Sequence, residues 1–194
     1  MNAIIQNLVD ADRAATLAVN AFGGMFTDAV MPWVSNRAVW IPFYLLLVCY
    51  LWLRLGWKKT LLILVVAVLS VAAVDQLANL VKYSVCRFRP CWDEYMVDNG
   101  LKILERKGGK YGFFSGHAST CAALATSVLY LYKDKLLKVI LPLWVALVSL
   151  SRVYVGKHFL GDILVGALVG ILVALVISYF MHFVLTKYFA KFVD

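Results

Sequence analysis

Residues 151–162 contain the side chains best suited to chemistry, and they lie between two strongly apolar segments. If a helix begins near Gly156, His158 and Asp162 lie one turn apart, about 40° around the helix axis, so the carboxylate can reach the imidazole. A carboxylate that accepts the Nδ1 proton leaves a free lone pair on Nε2, usable as a nucleophile or a base. On the approach to this helix, the guanidinium of Arg152 can fork onto an oxyanion such as phosphate. The alternative interpretation is a polar helix end at a membrane surface, where His158 and Asp162 cap one another.

The composition excludes a soluble domain. Hydrophobic residues make up 63% of the 194 residues, charged residues make up 15%, and mean hydropathy is +0.82. Several apolar runs of near-membrane length, separated by short basic stretches, are typical of membrane-spanning helices, whereas barrel strands would alternate with a period of two. The net charge of +8 includes the Lys and Arg of cytoplasmic loops, so it does not indicate a nucleic-acid partner, and no nucleic-acid-binding pattern is present.

The sequence therefore predicts an all-α fold, a polytopic helix bundle that forms one domain over residues 1–194. Residues 1–35 contain polar side chains too often for a lipid-exposed span, so we expect one or two helices that lie in the interface or pack against the bundle. Gly166 and Gly170 provide a small-xxx-small edge for close helix packing. The charged residues 84–113 form an extramembrane loop. The five predicted spans are 37–53, 61–83, 115–132, 136–150 and 158–183.

These spans place the polar residues on one side of the membrane. Because consecutive spans alternate in direction, residues 82–89, 115–117 and 152–162 face the same side. The opposite side carries a cluster of basic residues with only Asp134 and Asp194 against them, which the positive-inside rule assigns to the cytoplasm. We therefore expect the polar cluster to face the periplasm or its equivalent. The basic residues are Arg54, Lys58, Lys59, Lys133, Lys135, Lys138, Lys187 and Lys191.

Three short motifs on the polar side resemble the signature of the type 2 phosphatidic acid phosphatase (PAP2) family, lipid phosphatases related to vanadium haloperoxidases. Their order, internal spacing and membrane placement agree with the family pattern, and a triple match is far more specific than any one motif. One departure is Phe114, where the family usually has Pro; the change removes only the ring's constraint on φ. The motifs are Lys82-x6-Arg89-Pro90, Ser115-Gly116-His117 and Ser151-Arg152-x5-His158-x3-Asp162.

The resemblance implies a role for each motif residue. His158 would attack phosphorus to give a phosphohistidine, and Asp162 would orient it. His117 would protonate the leaving oxygen and later activate water. Asp75 shares a helix face with Lys82; we interpret it as a support behind the phosphate-binding groups, the alternatives being a direct Lys82 partner or a packing residue. The residues that would bind the substrate phosphate are Lys82, Arg89, Ser115, Gly116 and Arg152.

No metal or other cofactor is expected, because three cations in the same constellation would repel Zn²⁺ or Mg²⁺. Arg87 lies outside the signature and is interpreted as a lipid contact or a structural residue, the alternative being a second phosphate. Tyr154 and Lys157 are interpreted as walls of the site. Cys86 and Cys91 flank the Arg-Pro pair, and in an oxidising compartment a disulfide between them would brace the loop.

The sequence leaves the lipid substrate and the oligomeric state undecided, and the predicted partners are a lipid phosphate and the bilayer. A lipid phosphotransferase that uses the same phosphohistidine is one alternative, and a non-catalytic lipid-binding or transport protein is another. The main hypothesis is a multi-pass phosphatase of the bacterial cytoplasmic (inner) membrane that cleaves a lipid phosphomonoester or pyrophosphate at the outer leaflet. The candidate substrates are undecaprenyl pyrophosphate, phosphatidylglycerol phosphate, phosphatidic acid and lipid A phosphate.

Overall fold

The computed structural model describes residues 3–188, and within them the regular structure is helical apart from one isolated β-bridge. The predicted all-α class is confirmed. Two positions used in the charge argument, Lys191 and Asp194, lie outside the described residues. The helices are α1 (Ala3–Ala21), α2 (Met25–Ser35), α3 (Ile41–Val85), α4 (Glu94–Asp98), α5 (Gly116–Leu131), α6 (Leu137–Tyr154) and α7 (Leu160–Tyr188).

Helix α3 is interrupted at Gly56, between the first two predicted spans. Its 45 residues would extend for roughly 68 Å at 1.5 Å per residue, more than twice the hydrocarbon thickness of a bilayer. Gly56 has φ 77° and ψ 169°, a backbone conformation outside the helical region that glycine adopts without strain. Three described segments are long and apolar enough to cross a membrane: Arg37–Val85, Leu137–Tyr154 and Leu160–Val184. The protein is thus a multi-pass helical membrane protein.

Helix α5 lies at the centre of the bundle, where it packs against α3, α6 and α7. Small residues dominate its buried surface, so neighbouring backbones approach closely. Gly166 and Gly170 on α7 face this surface: a Cβ at Gly166 would lie 2.7 Å from the carbonyl oxygen of Ser115, and one at Gly170 would lie 2.2 Å from that of Ser119. The predicted glycine packing edge is confirmed.

We expect Gly170→Ala to destabilise the bundle by about 1–3 kcal/mol, because the added methyl group meets a backbone carbonyl that cannot rotate away. Thermal unfolding in detergent measures the change. Gly109→Ala is the matched control, since no atom lies within 4 Å of the added Cβ. Equal melting temperatures for the two variants would contradict the close approach of α5 and α7.

The first two helices pack on the bundle with one face and expose apolar side chains on the other. The Asn20 side chain joins α1 to the rest of the chain: its amide nitrogen donates to the carbonyl oxygens of Tyr154 at 2.6 Å and Lys102 at 2.9 Å, and its oxygen accepts from the Lys102 amide at 2.7 Å. Residues 3–35 are therefore fixed to α6 and to the loop after α4. The exposed side chains include Ile4, Ile5, Leu8, Phe22, Met25 and Phe26.

The predicted extramembrane loop, residues 84–113, folds back over the polar end of the bundle. A β-bridge joins Phe88 to Tyr111, and the amide of Arg89 donates to the carbonyl of Lys110 at 2.8 Å. The possible disulfide does not form: Cys86 and Cys91 are both free, one exposed and the other buried. The backbone bridge, rather than a disulfide, therefore holds the two strands of the loop together.

Candidate active site

Helix α7 begins at Leu160, after Gly156 and close to the predicted start of the fifth span at His158. Gly156 has φ 78° and follows the end of α6, and a Cβ there would lie 2.8 Å from the carbonyl oxygen of Lys102. His158 therefore lies in a tight turn before α7. The His158–Asp162 pair still forms, with Nδ1 of the imidazole 3.4 Å from Oδ2 of the carboxylate.

The Asp162 carboxylate is fully buried and is held on both oxygens. Oδ2 accepts the backbone N–H of Phe159 at 3.1 Å, in addition to facing His158. Oδ1 accepts from the Arg87 guanidinium at 2.7 Å. A buried carboxylate needs such partners, because an unpaired charge in the interior is strongly destabilising. The carboxylate that faces the histidine is thereby fixed in one orientation.

Arg87 pairs with two carboxylates of the protein, in agreement with the structural role that the sequence analysis gave as one of its two interpretations. Its second nitrogen donates to Asp12 of α1 at 2.6 Å, so one guanidinium bridges Asp162 and the N-terminal helix. The same guanidinium lies over the ring of Phe159, 4.1 Å from the ring centroid. A continuous series of ion pairs and hydrogen bonds therefore connects α1 to His158 through Arg87 and Asp162.

Helix α1 also caps α7, a contact that the sequence analysis missed. The first amides of a helix have no intrahelical acceptor. Asp12 accepts the N–H of Gly161 at 2.8 Å, and the Thr16 hydroxyl accepts that of Leu160 at 3.0 Å. Asp12 and Thr16 are four residues apart, on one face of α1. That polar pair in an amphipathic helix is the sequence signal that could have indicated a docking contact.

Arg89 lies beside the His158–Asp162 pair, around the backbone of Gly112. A Cβ at Gly112 would lie 2.9 Å from Cγ of Arg89 and 3.4 Å from both His158 Nδ1 and Asp162 Oδ2. The Arg89 Nε donates to the carbonyl of Tyr111 at 3.1 Å, which fixes the guanidinium. Burial lowers the pKa of Arg89 from its ordinary value, as desolvation of a cation does. The absence of a side chain at Gly112 is what allows these groups to meet.

The Ser115-Gly116-His117 motif joins the site through its backbone. Lys82 Nζ is 3.5 Å from the position of a Cβ on Gly116, at the N-terminus of α5, where free amides and the helix dipole favour an anion. Ser115 caps this helix: its hydroxyl accepts the Ala118 N–H at 3.4 Å, and its own N–H donates to the carbonyl of Asp162 at 3.0 Å. Ser115 therefore links α5 to α7, and its hydroxyl proton is still available to a ligand.

Arg152 is buried in the last turn of α6, with 6% of its surface exposed. Its NH1 contacts the hydroxyl of Ser35 and lies 3.4 Å from the Glu105 carboxylate. Among the described residues, its Nε has no hydrogen-bond partner. Buried N–H groups are nearly always paired, so an unpartnered Nε of this kind is suited to an incoming acceptor such as a phosphate oxygen.

Two neighbours expected as walls of the site have other roles. The Lys157 ammonium donates to the backbone carbonyls of Arg106 and Lys107 in the extramembrane loop. The Tyr154 hydroxyl donates to the carboxylate of Asp28 in α2 at 2.5 Å. Both side chains therefore hold peripheral segments onto the bundle.

His117 lies where a polar pocket meets an apolar cavity. The pocket, about 470 Å³, is lined also by Glu105 and Arg152. The cavity, about 600 Å³, runs between α3, α5 and α6. Arg37 lines both spaces, a residue that the sequence analysis placed only at the start of a span. His117 is within electrostatic range of Arg152, Arg37, His158 and Lys82, so the two histidines and the cations share one end of the bundle.

Asp75 lies in the wall of the apolar cavity with Gln76 and His117. It accepts a hydrogen bond from Asn79 at 3.4 Å, and its charge acts on Lys82 from beyond ion-pair distance. In the described part of the chain, Asp75 and Lys82 therefore do not form a direct ion pair, and the supporting role of Asp75 stays a prediction.

Burial lowers the pKa of His158 to about 4, even though Asp162 acts in the opposite direction. Because the folded pKa lies below the ordinary 6.5, the imidazole is neutral at pH 7 and loses its lone pair only as pH falls toward 4. The chain has three histidines, so a titration followed by NMR on histidine-labelled protein resolves each one. We expect the histidine signal that disappears in the His158→Gln variant to titrate near pH 4 in the wild-type protein. A midpoint near 6.5 would contradict the buried position of the ring.

Within residues 3–188, no group of three or more His, Cys, Asp or Glu side chains is arranged to hold a metal ion. The groups that surround the histidines are mainly cationic, a set suited to an anion. The site thus brings two histidines, a buried carboxylate and several cations to one end of a membrane helix bundle, where His117 lies between the polar pocket and the apolar cavity.

The model of the PAP2 superfamily matches residues 60–185, more than half of the chain, and the chain belongs to this superfamily. It is 30% identical over 169 residues to the lipid A 4′-phosphatase of Bacteroides thetaiotaomicron, covering 86% of this chain and 75% of that protein. It is 32% identical over 136 residues to the undecaprenyl-diphosphatase of Sulfolobus acidocaldarius, covering 70% of this chain and 60% of that protein. The predicted family and class, a lipid phosphatase, are confirmed.

Two solved structures share the fold. The PAP2-type phosphatidylglycerolphosphate phosphatase from Bacillus subtilis superposes with a TM-score of 0.67 at 22% identity, covering 94% of this chain and 88% of that one. Aquifex aeolicus LpxE superposes with a TM-score of 0.63 at 21% identity, covering 86% and 93%. At these identities the likeness shows the fold and not the substrate.

Proposed function

We propose that the protein is a metal-independent phosphatase that hydrolyses a lipid phosphomonoester or diphosphate through a phosphohistidine on His158. The observation that carries the proposal is the buried His158–Asp162 pair beside Arg89 and the Gly112 backbone. A neutral imidazole whose Nδ1 faces a fixed carboxylate presents Nε2 as a nucleophile. Cations close to that nucleophile suit a phosphoryl group, on which negative charge accumulates during transfer.

The reaction would proceed in two balanced steps. In the first, Nε2 of His158 attacks phosphorus, the bond from phosphorus to the lipid oxygen breaks, and His117 donates a proton to that oxygen. Asp162 stabilises the imidazolium that develops. In the second, His117 removes a proton from water, which attacks the phosphohistidine and releases inorganic phosphate. The groups proposed to bind the phosphate oxygens are Lys82, Arg89, Arg152, Ser115 and the Gly116 amide.

The apolar cavity supports a lipid as the leaving group. It is lined mainly by hydrophobic side chains, among them Leu64, Val68 and Trp144, and His117 lies at its polar end. His158 is not among its lining residues. A lipid tail in this cavity would thus approach from the side of the proposed general acid, as an in-line displacement by His158 requires.

We also propose five membrane spans, with the site on the extracytoplasmic side of a bacterial inner membrane. The Gly56 interruption supports two spans within α3. Helix α5, with 16 residues, extends for about 24 Å and is enclosed by the other helices, so it need not be as apolar as a lipid-exposed span. Basic residues at positions 54–59 and 133–138 lie at the helix ends opposite the site, where the positive-inside rule favours the cytoplasm.

A screen of phosphate release tests the function. We expect the purified protein in detergent to release phosphate from at least one of undecaprenyl pyrophosphate, phosphatidylglycerol phosphate, phosphatidic acid or lipid A, with the same rate in excess EDTA, because phosphoryl charge is neutralised by side chains and not by Mg²⁺. Activity lost on chelation and restored by Mg²⁺ would contradict the mechanism. If the phosphate is transferred from the substrate to an added lipid alcohol and no inorganic phosphate is released, the protein is a phosphotransferase instead.

A further inference from the structure

Two basic residues, Arg37 and Arg152, are among those that line the polar pocket. Arg37 belongs to none of the three motifs, and the proposed mechanism does not use it. It lies in the 3₁₀ turn Arg37–Trp40, between α2 and α3. Its side chain is exposed and, among the described residues, forms no hydrogen bond or ion pair. By contrast, Arg87, Arg89 and Arg152 each have a fixed acceptor in the protein. Arg37 therefore has its donors available to a ligand.

The position of Arg37 defines which part of a substrate it meets. Ser35, Arg37 and His117 are the three residues that line both the polar pocket and the apolar cavity. They therefore mark the junction between the polar pocket, which Arg152 also lines, and the apolar cavity in which the lipid tail is proposed to lie. His117 is within electrostatic range of Arg37, whereas the strongest electrostatic neighbours of His158 are Asp162, Arg152 and Arg89. Arg37 therefore lies closer to the proposed general acid, with which it lines the polar pocket, than to the proposed nucleophile.

We propose that Arg37 forms a subsite for the phosphate that remains on the lipid when a lipid diphosphate is cleaved. This inference rests on the proposed function. The oxygen protonated by His117 is bonded on its far side to carbon in a phosphomonoester, but to a second, charged phosphorus in a diphosphate. Only the diphosphate places an anion beside both His117 and Arg37, where a guanidinium can bind two of its oxygens. The subsite therefore makes the enzyme select diphosphate-linked lipids over the corresponding monophosphates.

The chemistry balances without another reactant. His158 attacks the terminal phosphorus, the bond to the bridging oxygen breaks, and the electron pair stays on the lipid monophosphate. Arg37 stabilises the charge that develops on this leaving phosphate. Water then cleaves the phosphohistidine, so one lipid diphosphate and one water give one lipid monophosphate and one inorganic phosphate.

Farnesyl diphosphate and farnesyl phosphate in detergent form a matched test pair, because they share a tail and differ only in the second phosphate. We expect Arg37→Gln to lower kcat/KM for farnesyl diphosphate by about tenfold to a hundredfold, since a charge-assisted hydrogen bond to phosphate is lost. The rate on farnesyl phosphate should change less than about twofold, and Arg37→Lys should restore part of the diphosphate activity. Arg54→Gln, an exposed arginine further along α3, is the control for a general effect of lost charge.

The outcomes separate this inference from the proposed function. Equal losses on both substrates would overturn the subsite and place Arg37 at the transferred phosphate, and no loss on either would also overturn it. Wild-type protein that cleaves only the monophosphate would end the subsite proposal but leave the phosphatase intact. Wild-type protein that releases phosphate from neither substrate nor any lipid in the screen would contradict the proposed function itself.

Discussion

His158→Ala is expected to lower phosphate release by at least about 10⁴-fold, because removal of a nucleophile leaves only the binding groups to accelerate the reaction. Acid-labile phosphate should appear on His158 in wild-type protein quenched during turnover, and it should be absent from the variant. The measurement combines phosphate release with mass spectrometry under alkaline conditions, which preserve a phosphohistidine. A variant that keeps more than a few per cent of the activity would exclude His158 as the nucleophile.

A histidine on α7, the helix that follows the His158 turn, provides the control. His182 lies near the other end of α7, roughly 33 Å along the axis from Leu160, so His182→Ala should retain activity. His117→Gln separates the two steps. With an activated leaving group such as p-nitrophenol, which needs no proton, the phosphohistidine should still form, but its hydrolysis should slow by about 10²–10⁴-fold because no base activates water. A variant that accumulates no phosphoenzyme would contradict the assignment of the second step to His117.

Arg87→Gln is expected to give the largest effect of any residue that does not touch the substrate. The substitution leaves the fully buried Asp162 carboxylate without the partner now 2.7 Å away, so the carboxylate loses its fixed orientation toward His158. Loss of such a supporting contact typically costs about 10- to 100-fold in activity. The loss should fall on kcat, with KM nearly unchanged, because the phosphate-binding groups remain.

Asp12→Asn tests the same network of contacts at its other end, on α1. It weakens the contact to Arg87 at 2.6 Å, and the double variant should lose less than the sum of the two single losses, because both residues act through one network. Arg13→Gln is the matched control on α1, since Arg13 pairs with Asp93 and does not contact the Asp162 network. A similar loss of kcat in Arg13→Gln would show that detachment of α1, and not the orientation of Asp162, is responsible.

The contacts of α1 explain why the N-terminal segment contributes to the geometry of the site. Asp12 and Thr16 occupy the first amides of α7, and Asn20 ties α1 to the end of α6. The turn that carries His158 lies between these two attachment points. Helix α1 therefore sets the position of the turn that carries His158, while its other face remains apolar and exposed.

The sequence alone predicted the fold class and the family. The length of the apolar segments and the composition predicted a helical membrane protein, because a spanning segment must satisfy its backbone hydrogen bonds internally. The resemblance of the three motifs to the family signature predicted His117, His158 and Asp162 as the catalytic candidates. The interval between the first two predicted spans matches the interruption at Gly56, since the basic residues around it break the apolar run.

Only the tertiary structure decided which residues support those motifs. Arg87 meets Asp162 and Asp12 across 75 positions of sequence in each direction, a distance over which no helical periodicity carries information. Arg37 could be distinguished from any other basic residue at a membrane surface only by the pocket and the cavity that meet beside it. Local spacing predicts the His158–Asp162 contact, because the two residues are only four positions apart. Contacts between distant segments depend on how whole helices pack, and packing is a property of the folded bundle.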